Sequence, residues 1–577
     1  MLKKAFSYLK DYKKYYFLSI LFTAFETAFQ LIITLLMANI VDIGIANSDF
    51  DYILKQGILM IGIAFVSLIL GRTAARFNAM TGIGLGAELR KYQFKQIQNL
   101  SFAQIDNFKT GSLITRMTTD ITRIQTAFMM ATRMLIRAPL MLIIAIGLSM
   151  YISVPLSTVF FVSVPVLAIG IIFVISKVRP LFTIMQERMD DINTKVQENL
   201  SGIRVVKSFN KEENEIREFE VENEELRNTS MQALKYMVLA MPYVQVLTFA
   251  TTIAIIWLGG NMVYTGDLTI GRLTTFITYV NQIMFFMIML SFVIVNISRS
   301  IASLQRVFEV IESENEINID RANPKNVVTR GKIEFKDVYF KYHKSSGEYV
   351  IKNINLVIEP GTKVGILGGT GSGKSTLVQL IPRLYDIDEG FIKIDNIDIK
   401  EYLPSELRLG ISMVLQQNSL FSGTIAENLR LGNENASEEE LIWACETAGA
   451  MEFINNLPGK FEYILEQEAS NLSGGQKQRL CIARALLTYP KILIMDDSTS
   501  AVDSATEKRI REGLERDLAN TTVITISQRI NTLQESDIIL VMDDGRIVDS
   551  GIHEDLLESS NIYKEVYEIQ KKVTKDV

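Results

Sequence analysis

Between Arg137 and Lys177 the chain runs for 39 residues, Ala138 to Ser176, without a charged side chain. Wound as a single α-helix, that stretch would be roughly 58 Å long, far more than the ~30 Å hydrocarbon core of a bilayer. It must therefore fold back on itself, and the turn is expected near Ser153-Val154-Pro155. Tyr236–Gly266 and Leu273–Ser298 are also free of charge, whereas charges are dense from Gly331 onward. A chain of 577 residues is too long for one core, and this contrast divides it into a membrane half and a soluble half.

Six spans of about 20 residues or more fit the first half. They lie near 16–46, 53–80, 128–152, 155–176, 236–264 and 271–298. Three connections are short, near Asn47–Tyr52, Ser153 and Thr265–Leu268, and their charges are Asp49, Asp51 and Asp267. The long segments 81–127 and 177–234 carry the cations, among them Arg90, Arg116, Arg123, Arg179, Arg188, Arg204 and Lys207. The excess of Lys and Arg puts these segments and both termini in the cytoplasm of a multi-pass protein of the cell membrane. Both segments have helical periodicity, so they are expected to protrude from the membrane as long helices able to carry force. The N-terminal lysines Lys3, Lys4, Lys10, Lys13 and Lys14 read as an uncleaved amphipathic entry helix.

Within the spans stand Glu26, Gln30, Asn39, Asp42, Arg72, Arg76, Arg133, Arg137, Gln245, Asn281, Gln282 and Asn296. An intramembrane charge is costly unless it faces a partner or a wet cavity. Glu26 is thus a candidate contact for a cationic substrate and Asp42 for an outer gate; the alternative is internal pairing with arginines such as Arg72 or Arg76, or a place at an interface. The run Met284–Met289 is expected to pack between helices or against lipid, or else to line an adaptable pocket. The net charge of −6 comes without any basic cluster interleaved with aromatics, which argues against a nucleic-acid partner. Cys445 and Cys481 are expected to be buried, reduced thiols.

A polar linker over 312–330, containing Pro324, leads into the soluble half. There the apolar run Lys363–Leu367 feeds Gly368-Gly369-Thr370-Gly371-Ser372-Gly373-Lys374-Ser375-Thr376, which fits G-x-x-x-x-G-K-[ST]. Backbone N–H groups of such a loop cradle phosphates, Lys374 reaches the β/γ-phosphates of ATP, and the Ser375 hydroxyl ligates Mg²⁺. About a hundred residues later come Leu472-Ser473-Gly474-Gly475-Gln476, a Ser/Gly anion site at a helix start.

Over nearly its whole length the chain resembles the ATP-binding cassette exporters. That resemblance implies an α-helical six-span transmembrane domain (1–311) with long intracellular helices, the linker, and an α/β P-loop nucleotide-binding domain (331–577). It implies that Leu472–Gln476 closes over the nucleotide of a second subunit. Asp496, ending Ile492–Asp496, takes the place of the Walker B aspartate that holds Mg²⁺ through water. Gln416 resembles the Q-loop glutamine that touches Mg²⁺, Tyr342 the aromatic stacked on adenine, and Asp503 the D-loop aspartate. The segments Phe108–Arg116 with Asp120, and Gly202–Phe209, look like the two intracellular loops whose tips dock on nucleotide domains.

The chain departs from the family at two positions, both where hydrolysis needs chemistry. Asp497 stands where the family has a Glu to orient or deprotonate the attacking water, and Gln528 replaces the switch histidine. A base that falls short by one methylene loses up to on the order of 10²-fold, and a glutamine donates a hydrogen bond but is never a cationic acid. The segment Glu466–Asn471 also lacks the family's usual glycine. Neither His343 nor His553 fills the switch position.

An intact Leu472–Gln476 beside a weakened ATP site resembles the degenerate-site subunit of heterodimeric bacterial multidrug exporters. The expectation is an ATPase-coupled translocase with its own site impaired and a second half-transporter as partner. The membrane half would move a hydrophobic or amphipathic small molecule through lipid. The rival readings are a membrane ATP-sensing subunit without transport, and a lipid or peptide exporter.

Overall fold

The computed structural model describes residues 2–313, 317–342, 347–498 and 502–575. His343 and the side chains of Lys3 and Asn296, named above, lie outside the described set. The chain separates into two compact units: Met1–Gln98 with Thr110–Ser313, and Asn99–Lys109 with Glu314–Val577. The first is therefore not contiguous in sequence, because an eleven-residue insert clusters with the second.

The first unit is helical. Its main elements are α1 (Lys13–Asn39), α2 (Phe50–Asn99), α3 (Ile121–Ile152), α4 (Val154–Ser201), α5 (Glu212–Thr265) and α6 (Ile270–Ile311). Six described helical segments are long and apolar enough to cross a membrane. The uncharged stretch does break where its length demands. Ser153 leaves the helical region, its hydroxyl accepts from the Leu156 N–H at 3.4 Å, and Pro155 sits in the first turn of α4, where no N–H is needed. At 50 and 54 residues, α2 and α5 are about 75 and 80 Å long and outrun any bilayer.

Phe160 and Phe276 stack with centroids 6.0 Å apart inside a core with Leu31, Met141, Tyr279 and Ile283. A second core joins Leu85, Leu89, Ile121 and Ile124 to Leu304, Val307 and Phe308. Beside it the buried Asp120 carboxylate accepts from Arg306 Nε at 2.8 Å, Arg306 Nη2 at 2.6 Å and Ser303 Oγ at 2.8 Å.

Both intramembrane acids have partners, though not Arg72 or Arg76. Glu26 is ion-paired with Arg137 at 3.1 Å, and Arg137 also donates to Gln30 at 2.7 Å. Asp42 lies in a π-helical turn, Ile40–Ile45, and accepts from the backbone N–H groups of Gly271 at 2.6 Å and Arg272 at 3.1 Å and from the Thr269 hydroxyl. It caps the N-terminus of α6, where four backbone donors lack helical partners and negative charge is favoured. Of the expected tips, Gly202–Phe209 coincides with a short helix, Ile203–Ser208, that leaves Val205 and Phe209 60% and 71% exposed. Within the other, Phe108–Arg116, lies a short helix, Thr110–Thr115, and a further one, Phe102–Asn107, precedes it in the insert that belongs to the second unit.

The second unit holds a six-stranded sheet in the order β12-β11-β3-β10-β9-β6, from β3 (Lys363–Gly368), β6 (Ile411–Val414), β9 (Ile492–Asp496), β10 (Thr522–Ile526), β11 (Ile538–Asp543) and β12 (Arg546–Gly551). All its pairings are parallel except β11 with β12. An antiparallel sheet, β2-β1-β4-β5, is built from β1 (Ile333–Phe340), β2 (Ile351–Ile358), β4 (Glu389–Ile394) and β5 (Ile397–Asp398). The helices that bear on function are α7 (Lys374–Leu380), α8 (Gly474–Leu486), α9 (Ser504–Asp517) and α10 (Asn561–Lys575).

The polar linker is tied to this unit. Asp395 accepts from the N–H groups of Thr329, Arg330, Gly331 and Lys332 at 2.7–3.0 Å. Burial pushes its carboxyl up, but these backbone donors outweigh it and the carboxyl sits below its ordinary value. Cys445 and Cys481 are buried thiols, and burial pushes Cys445 up to about 12.

Candidate nucleotide site

The parallel order brings the carboxyl ends of β3, β10, β9 and β6 side by side, and ligands of open α/β sheets gather at such edges. β3 runs into the glycine loop. Gly371 and Gly373 have φ of +83° and +94°, which L side chains rarely adopt, and a Cβ on Gly368 would meet the Met542 carbonyl at 2.4 Å. The loop closes on its own lysine: Lys374 Nζ donates to the carbonyls of Gly368 at 2.9 Å and Gly369 at 2.7 Å. Burial pushes this ammonium below its ordinary value, while Asp496 and Asp497 pull the other way.

Asp496 ends a strand whose five residues are all buried, and the Ser375 hydroxyl donates to its Oδ1 at 2.9 Å. A hydroxyl and a carboxylate side by side are the oxygen donors a hard divalent cation takes, and the cradle beside them suits phosphate, so these residues fit Mg²⁺ with ATP. Burial pushes the carboxyls of both Asp496 and Asp497 up. Asp497 takes φ of +48° just past the strand, and its N–H donates to the Ile526 carbonyl on β10 at 3.1 Å.

Gln528 is exposed two residues past the end of β10, between the strands that carry the glycine loop and Asp496. Gln416 is likewise exposed, two residues past the end of β6. Tyr342 shares a hydrogen bond of 2.9 Å with the Thr376 hydroxyl, and its ring stands edge-on to Tyr385 with centroids 5.2 Å apart.

Leu472–Gln476 makes no hydrogen bond to the glycine loop among the described residues. Ser473 is the N-cap of α8, and with Gln476 it forms a capping box: Gln476 Oε1 accepts from the Ser473 N–H at 2.8 Å, and Ser473 Oγ accepts from the Gln476 N–H at 3.4 Å. The Ser-x-x-Gln spacing alone announces this local role. Asp503 caps α9 by accepting from the Thr506 N–H at 2.9 Å. One tie from α8 reaches the edge: Gln478 Nε2 donates to the Asp497 carbonyl at 3.3 Å.

Comparison with known proteins places this arrangement. A family model described as the ABC transporter transmembrane region matches residues 16–288, and one described as ABC transporter matches 351–500. An uncharacterized ABC transporter ATP-binding protein, YfiB of Bacillus subtilis (strain 168), is 36% identical over 571 residues, covering 99% of this chain and 98% of its own. The chain belongs to the ABC transporter family. A second ABC relative, the ATP-dependent lipid A-core flippase of Desulfotalea psychrophila (strain LSv54 / DSM 12343), is 33% identical over 535 residues, 93% of each chain. In fold, the ABC chain is similar to a bacterial Atm1-family ABC exporter solved with ATP bound, at TM-score 0.82 and 24% identity over 96% of this chain and 98% of that one. Six helices long and apolar enough to cross a membrane and one α/β nucleotide-binding unit give the ABC chain the fold of a half-size ABC exporter.

Two contacts of the ABC site had no notice in the sequence reading. Gln570 on α10 grips the segment after β10 from both sides: its Nε2 donates to the Gln528 carbonyl at 2.7 Å and its Oε1 accepts from the Ile530 N–H at 3.0 Å. In the insert, Asp106 accepts from the Tyr385 hydroxyl at 2.6 Å, and Phe102 packs edge-on to the same ring. Tyr385 thus joins the Phe102–Asn107 helix to Tyr342. The Ser101-x-x-Gln104 capping box was the available signal for that helix; for Gln570 there was none.

Proposed function

We propose that this ABC exporter chain is one half of a heterodimer whose own ATP site is slow. In this reading it carries hydrophobic or amphipathic compounds out of the cell, with both termini in the cytoplasm. The observation that carries the proposal is the placement of Asp497 and Gln528 at neighbouring strand ends beside the glycine loop. A base short by a methylene and a switch residue unable to carry charge fall in one site. Gly368–Thr376 would hold the phosphates, Tyr342 would face the adenine, and Ser375, Gln416 and Asp496 would hold Mg²⁺. Mg²⁺ supplies charge neutralisation at the phosphates.

Leu472–Gln476 and Asp503 serve the partner's nucleotide. Ser473 and Gly474 are exposed at the end of α8, which suits that use. The lipid-transporting relative supports an amphipathic cargo.

The test is the double variant Asp497→Glu with Gln528→His, in a complex whose partner site is inactivated. Turnover should rise on the order of tenfold or more, since up to 10²-fold is lost by misplacing a catalytic group. Unchanged single-site turnover would sink the slow-site reading.

A further inference from the structure

The membrane-spanning parts of α1, α2 and α3 contain Arg72, Arg76, Arg133 and Arg137 but, apart from the α6 cap Asp42, a single acid, Glu26. Arg137 neutralises Glu26 at 3.1 Å. Arg133 lies one turn away on the same face of α3, and among the described residues no carboxylate reaches ion-pair distance of it. The two arginines line a cavity of about 600 Å³ together with Gln30, Asn281, Gln282 and Phe285.

That lining is divided by chemistry. Arg133 stands 19 residues before the end of α3 at Ile152, about 29 Å along the axis and so close to one face of a ~30 Å hydrocarbon core. Amide side chains flank it, while Met134, Phe285 and Phe286 supply apolar and aromatic surface. A guanidinium fork matches the oxygens of phosphate or carboxylate, and a cation at the edge of the hydrocarbon core, with no carboxylate at ion-pair distance among the described residues, gains from an anionic headgroup there. A cationic ligand would meet two guanidiniums, with Glu26 already occupied.

We propose that this cavity binds an amphiphile with an anionic phosphate or carboxylate headgroup, placed against Arg133 with its chain along Phe285 and Phe286. The proposal rests on the exporter reading of the membrane unit but not on the slow site or the heterodimer, because it concerns equilibrium binding without ATP. The full-length chain, with any partner that copurifies, is placed in phosphatidylcholine nanodiscs. Binding is then measured for lysophosphatidic acid, lysophosphatidylcholine and an alkyltrimethylammonium of equal chain length.

Lysophosphatidic acid should bind about tenfold tighter than the other two, the scale of one charge-assisted hydrogen bond. Arg133→Gln should erase that preference, Arg133→Lys should keep most of it, and Arg133→Glu should turn it toward the trimethylammonium. Equal affinities in the unsubstituted chain, or the same loss for all three ligands in Arg133→Gln, overturns the proposal. Competition by glycerol 3-phosphate at the same concentrations also overturns it, because the ligand would then be a soluble phosphate.

Discussion

Asp496 keeps a carboxylate where water is scarce. Burial raises its pKa above the unfolded value of about 3.9, so the stability this group contributes is present at low pH and is lost as pH rises through its folded value. At neutral pH the charge opposes folding of the nucleotide-free chain. Asp496→Asn keeps an acceptor for the Ser375 hydroxyl and removes the charge. It should raise the unfolding midpoint of the nucleotide-free protein by a few degrees at pH 7.5 and by less at pH 4.5, while abolishing the further rise that Mg²⁺ and ATP bring. A lower midpoint at both pH values would contradict this account; differential scanning calorimetry decides. The residue types of this site were legible because a glycine loop, a buried strand and its terminal acid follow one another in fixed chemical roles. The positive φ of Asp497 was not, and there its N–H meets the Ile526 carbonyl on another strand, a pairing across the sheet that no local pattern shows.

At the scale of elements, α10 is tied to the segment that follows β10. Its Gln570 holds the Gln528 carbonyl and the Ile530 N–H, so an amide 42 residues away in sequence sets how freely the segment after β10 moves. Gln570→Ala removes two hydrogen bonds worth about 1 kcal/mol each. Amide exchange at Ile530 should accelerate roughly tenfold or more while protection within β10 is retained. Unaltered exchange at Ile530 would mean the clasp is not what restrains the switch. Nothing in the sequence pairs a C-terminal glutamine with residue 528, because periodicity reports which face of a helix is apolar and not which loop its polar face meets. By the same limit, the likeness carried by Phe108–Arg116 gave no notice of the helix just before it, Phe102–Asn107, which Ser101 and Gln104 cap.

For the whole molecule, Val205 on the helix Ile203–Ser208 and Phe209 just past it are exposed apolar side chains, and the proposed partner would cover them. Phe209→Ser should leave the unfolding midpoint of the chain alone almost unchanged, as exposed sites do. It should weaken assembly with a second half-transporter or uncouple its ATP turnover from transport, measured by co-purification and by vesicle uptake. Normal assembly and normal coupling together would remove Phe209 from the contact. The bundle itself followed from the sequence because a bilayer leaves few choices for uncharged stretches of fixed length, whereas the partner of Glu26 depended on packing that length does not dictate.

The cap on α6 carries a consequence for how the molecule is made. Asp42 leaves the ribosome 229 residues before the Gly271 N–H that it accepts from, and four more spans are laid down between the two. The pairing of α1 with α6 at this point can form only once the spans between them have been laid down.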